Sequence, residues 1–136
     1  MRKVSLLIGI CMLTGLALTL WAQTEADLPP IMKEVAATQG AMRKAMDSKA
    51  AEDVAANAEK LQGLFMKAAG VFKALKAQDA VDAAKANGTA AGEIVKAAKA
   101  GNLDAVTAPA GTIQQSCKGC HTVHREQLPD KTYKFK

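Results

Sequence analysis

The chain has 136 residues and a formal net charge of +5, with 18 lysines and arginines against 13 acids. That length is one domain. The basic residues are scattered rather than gathered on one stripe, which argues against a nucleic-acid-binding surface. Three cysteines exclude a disulfide framework of the kind that staples small secreted domains.

Residues 1–22 read as an export leader. Arg2 and Lys3 form a positive start, Val4 to Ala22 is almost wholly apolar and uncharged, and Ala22 is small enough to precede a cut before Gln23. A cut after Ala26 is a variant of the same reading. The apolar run of about 19 residues would be roughly 28 Å long as a helix, near the thickness of a bilayer, so a retained membrane anchor is the alternative. Cys11 lacks small residues before it and is not read as a lipid-attachment site. Cleavage leaves about 114 residues, takes away Arg2 and Lys3 so that the charge falls to +3, and leaves two cysteines.

From Leu28 onward the pattern is helical, rich in alanine, lysine, glutamate and glutamine, with no strand pattern. Pro29 and Pro30 suit a helix start. The first inward stripe is Met32, Val35, Gln39, Met42 and Met46, interrupted only by Gln39. A second helix is expected over Ala50–Lys76, with Val54, Ala58, Leu61, Phe65, Ala68, Phe72 and Leu75 inward. A third is expected over Ala80–Ala100, with Val81, Ala84, Ala91, Ile94, Val95 and Ala98 inward and Gly88 weakening its middle. Gly101 stops it, and Asn102 caps the fourth. The fourth carries Leu103, Val106, Ala110, Ile113, Cys117, Cys120 and His124 inward. Pro109 should kink or restart it, and Pro129 should end it, leaving Asp130–Lys136 as a basic, aromatic-tipped tail. Four such helices joined by short turns fit an all-α, antiparallel four-helix bundle spanning 23–136. Its many small inward residues leave room either for close helix approach or for a buried apolar group.

Cys117-Lys118-Gly119-Cys120-His121 is the C-x-x-C-H pattern of covalent haem attachment. On a helix the two thiols lie one turn apart on one face, placed to join the two vinyl groups on one edge of a haem. His121 follows directly and can reach under the ring to the iron. A thioredoxin-like redox pair would need an α/β setting. A zinc site would need four ligands, and beyond the motif only His124 is left to contribute. A structural disulfide is the third alternative. Export agrees with haem attachment, since both thiols must meet the haem outside the cytoplasm, which points to a periplasm.

The leader, the four amphipathic helices and a C-terminal C-x-x-C-H together resemble the class II cytochromes c, the cytochrome c′ family. His124 and Arg125 stand where that family has an aromatic or similar residue and then a basic one. The family's usual arginine before the sixth-site residue is absent, its turn being taken by Leu28 and the two prolines. The resemblance implies one covalent haem c, thioethers at Cys117 and Cys120, His121 as proximal iron ligand, and Arg125 near the haem. It places Met32 at the sixth iron position, as in the low-spin His/Met subgroup; Met42, Met46 and Met66 read as core filler, with Met42 the next candidate ligand. His124 leaves the same helix face as His121, so the two cannot bind one iron from opposite sides, and a packing or propionate contact is expected for it. Lys118 reads as a solvated charge. Lys131, Lys134 and Lys136 form either a solvated tail or a positive rim that steers an acidic partner.

The expected function is a non-enzymatic periplasmic one-electron carrier acting on redox partner proteins, with no nucleic acid, no membrane once the leader is cut, and a homodimer possible by family habit. The alternatives are a five-coordinate cytochrome c′ that binds NO or CO, and a haemless helical module. No nucleophile is paired with a base.

Overall fold

Pro29 and Pro30 fall in the first turn of a helix, where a missing N–H costs nothing, and a short 3-10 turn at Glu25–Asp27 leads into them. The computed structural model describes residues 23–136; the expected leader, residues 1–22 with Cys11, lies outside the described residues. The described chain is mostly helical. Its four long helices are α1 (Leu28–Asp47), α2 (Ala51–Ala74), α3 (Gln78–Lys99) and α4 (Thr107–His124), with a second 3-10 turn at Asp104–Val106. Among the described residues no helix is long and apolar enough to cross a membrane.

The first three helices end in the same way. Lys49, Lys76 and Gly101 each take a left-handed backbone, with φ of 57°, 59° and 71°. In each case the left-handed residue bonds back to the carbonyl three before it, and the next residue to the carbonyl five before it: Lys49 to Met46 and Ala50 to Ala45, Lys76 to Lys73 and Ala77 to Phe72, Gly101 to Ala98 and Asn102 to Ala97. This is the Schellman closure, which satisfies carbonyls the helix leaves unpaired. Sequence reading found only the glycine version. Asn102 then accepts the Ala105 N–H through its side chain at 3.2 Å. Pro109, as the third residue of α4, restarts the helix after the 3-10 turn rather than kinking it.

α2 and α3 form the most extensive helix pair; α1 lies on α2 and α4 on α3. The apolar interior falls into two clusters. One holds Val54, Leu61, Phe65, Ile94, Val106 and Ile113; the other holds Leu28, Val71, Phe72 and Val81. The α2 stripe is buried from Val54 to Phe72, with Leu75 half-buried. In α1 the deepest residues are Val35, Thr38, Met42 and Ala45, so Met32, Gln39 and Met46 lie at the edge of its inner face rather than at its centre. Met66 falls off the α2 stripe and is 51% exposed, so it is not core filler.

The end of the chain differs from the expected tail. α4 stops at His124, not at Pro129, and β1 (Arg125–Gln127) pairs antiparallel with β2 (Tyr133–Phe135). Arg125 faces Phe135, Glu126 faces Lys134 with an ion pair at 3.3 Å, and Gln127 faces Tyr133, its Nε2 donating to the phenol oxygen at 3.1 Å. Asp130 accepts from the Thr132 N–H and hydroxyl to close the turn.

Candidate functional site

One cavity of about 920 Å³ opens among the four helices and the hairpin. That is near the upper end of the roughly 300–1,000 Å³ usual for small-molecule sites. Met32 of α1, Cys117, Cys120 and His121 of α4, and Arg125 of β1 all border it. The five residues singled out from sequence are therefore gathered on one space, drawn from chain segments some 85 residues apart. Phe65 and Phe72 of α2 and Ala84 of α3 make apolar wall. The small residues divide by role. Ala68 and Ala84 border the cavity, whereas Ala58, Ala91 and Ala98 are buried without bordering it.

The motif's spacing behaves as helix geometry requires. Cys117 and Cys120 are both half-buried on α4 as free thiols, Cys117 against the first apolar cluster and Cys120 against the second. Burial raises the pKa of both. At Cys117 a hydrogen bond from Gln39 opposes that rise in part; at Cys120 the charges of Cys117 and Asp79 add to it. Both sulfurs are thus held as neutral thiols near pH 7. That is the reverse of the lowered pKa of redox-active C-x-x-C pairs. Among the described residues, no group of three or more His, Cys, Asp or Glu could hold a metal ion. An iron already held by a porphyrin needs only one or two protein ligands.

His121 is exposed and borders both the cavity and a shallow outer groove with Lys118, Thr122 and Tyr133. Its pKa is lowered, first by desolvation and then by the Arg125 guanidinium, which favours the neutral ring that can bind a metal. Arg125 Nη1 lies 3.4 Å from His121 Nδ1, and the guanidinium carbon lies 3.3 Å from the centre of the Tyr133 ring. A ring that accepts at Nδ1 carries its proton on Nε2. Ligation through Nε2 needs the opposite tautomer, so Arg125 must then release this contact.

Three features of the site were not found from sequence. The hairpin is a wall: Thr132, Tyr133, Lys134 and Phe135 all border the cavity. Phe135 packs against Phe72, with ring centres 5.5 Å apart, and stacks on His124 at 4.8 Å, while its N–H donates to Glu25 Oε1 at 2.9 Å. His124 packs as expected, but against this hairpin. Finally, Asn87 is 95% buried on the cavity wall. A signal for it was present: the α3 stripe has a gap between Ala84 and Ala91, filled by Asn87 and Gly88.

No family model, curated protein or solved structure matches the chain.

Proposed function

We propose that this chain is a periplasmic c-type cytochrome of the cytochrome c′ kind. It is an antiparallel four-helix bundle that carries single electrons between redox partner proteins through one covalent haem c. The observation that carries the reading is the meeting of Met32, Cys117, Cys120 and His121 on one large, mostly apolar cavity. Cavity size, two neutral thiols one turn apart and a neutral imidazole beside them all suit the group.

Cys117 and Cys120 would hold the haem through thioethers, His121 would be its proximal iron ligand, and Met32 would be the distal one. Bound there, the haem supplies a one-electron iron couple whose potential a methionine ligand raises. The chain's own residues do the rest. Phe65, Phe72 and Phe135 exclude water and lower the local dielectric. Met32 has no titratable proton, so its ligation does not depend on pH near neutrality. The Arg125 guanidinium is held over the Tyr133 ring beside His121.

The test is a mass and an optical spectrum of the exported chain, oxidised, reduced and with CO. A covalent tetrapyrrole and a sharp low-spin spectrum indifferent to CO are expected. A broad high-spin spectrum that shifts with CO would replace the carrier by a five-coordinate NO- or CO-binding protein. The absence of a Soret band would end both readings.

A further inference from the structure

Cys117 and Cys120 share a helix face, yet their surroundings differ. Gln39 of α1 brings Nε2 to 3.6 Å from Cys117 Sγ, and Asn87 of α3 brings Nδ2 to 3.9 Å. Two amides on two different helices thus converge on one sulfur. Among the described residues no side-chain hydrogen bond reaches the Cys120 sulfur, which borders the cavity.

Both amides occupy positions where an apolar side chain is the local rule. Gln39 interrupts the α1 stripe, and Asn87 fills the gap in the α3 stripe. Asn87 is 5% exposed, and its Oδ1 is the one buried side-chain nitrogen or oxygen among the described residues with no partner. A buried unpaired acceptor costs about 1–3 kcal/mol, which an apolar side chain of similar shape would avoid. The arrangement makes sense if the sulfur changes its hydrogen-bonding character. A free thiol has one S–H to donate, and Asn87, turned over, meets it with Oδ1. A thioether has no proton and can only accept, so it needs the N–H side of the amide. Asn87 can satisfy either state, and Gln39 adds a second N–H to the sulfur.

We infer that Gln39 and Asn87 are positioning residues for the Cys117 thioether, fixing its sulfur from α1 and α3 and setting the positive ends of two amide dipoles at that edge of the haem. This rests on the haem reading above. Dipoles so placed in a site of low dielectric favour the form that has gained an electron. Removing them therefore lowers the reduced fraction at a fixed ambient potential.

The test uses the loaded full chain carrying Gln39→Leu, Asn87→Leu or both. Gln62→Leu serves as the control, an exposed amide on α2 that makes no hydrogen bond to Cys117. Peptide mapping first establishes adducts on Cys117 and Cys120 in the unsubstituted chain. If these are missing, the haem reading itself fails and takes the inference with it. With adducts present, spectroelectrochemical titration is expected to show the reduced-to-oxidised ratio falling about threefold for each single change and about tenfold for the pair, about 59 mV for a one-electron couple. The Gln62 control should stay at the unsubstituted value. An unchanged or increased ratio overturns the inference while leaving the haem reading intact, as does an equal fall in the control. Loss of the adduct from both single variants would assign the amides to folding and overturn it as well.

Discussion

His124 Nε2 lies 2.7 Å from Asp79 Oδ2, joining the last residue of α4 to the first turn of α3. The other ring nitrogen, Nδ1, is 3.0 Å from the main-chain oxygen of Lys136, whose N–H bonds back to the His124 carbonyl. Both nitrogens face oxygen, and only the protonated ring can donate to both. The His124 pKa is accordingly raised, first by the Lys136 oxygen and then by Asp79, with burial and the Lys136 charge opposing; the Asp79 pKa is lowered, first by His124.

The pH dependence follows from these two directions. The raised His124 value contributes stability that is fully present below its unfolded value of about 6.5 and is lost as pH rises through the folded value above it. The lowered Asp79 value contributes stability present above about 3.9 and lost as pH falls through the folded value below it. Amide hydrogen exchange at Phe135 and Lys136, corrected for intrinsic rates, should show greatest protection between about pH 4 and 6.5. Protection should fall above that window. His124→Gln should flatten the alkaline side; an unchanged profile would remove the pair as its cause.

Met32→Ala should turn a low-spin spectrum into a high-spin one that responds to CO, with attachment at Cys117 and Cys120 kept. Met42→Ala should leave the spectrum low-spin, because Met42 is buried away from the cavity. The reverse pattern would move the distal ligand to Met42.

Phe135→Ala should destabilise the chain by about 1–2 kcal/mol, since a half-buried ring loses two aromatic neighbours, Phe72 and His124. Urea unfolding measures it. Phe72→Ala, at a 5% exposed position, should cost more, about 3–5 kcal/mol.

The three Schellman closures predict opposite signs for opposite changes. Gly101→Ala puts a Cβ on a left-handed residue and should cost about 1 kcal/mol. Lys49→Gly and Lys76→Gly relieve the same strain and should each stabilise by up to about 1 kcal/mol. Urea midpoints decide, and a loss at either lysine would contradict the account.

The helices were legible because amphipathic periodicity is local. α2 was expected over Ala50–Lys76 and lies at Ala51–Ala74, and the turn at Gly101 was plain from a residue that tolerates positive φ. Lys49 and Lys76 were not, since lysine gives no such signal. The hairpin escaped for another reason. Arg125-Glu126-Gln127 has no alternating apolar pattern, and contacts with Glu25 and Phe72, far away in sequence, hold the returning strand. The motif residues were readable as chemistry, whereas Asn87 gives no local signal of its role, which depends on Cys117, 30 positions on.

The two apolar clusters bear on how the molecule melts. Ile31 packs on both, and the cavity wall takes Phe65 from one and Phe72 from the other. A rigid guest anchored at Cys117 and Cys120 would weld the two into a single cooperative body with one sharp calorimetric peak. A preparation lacking that guest should unfold with a van't Hoff enthalpy smaller than its calorimetric one, the end built on Leu28, Val71 and Phe72 loosening first.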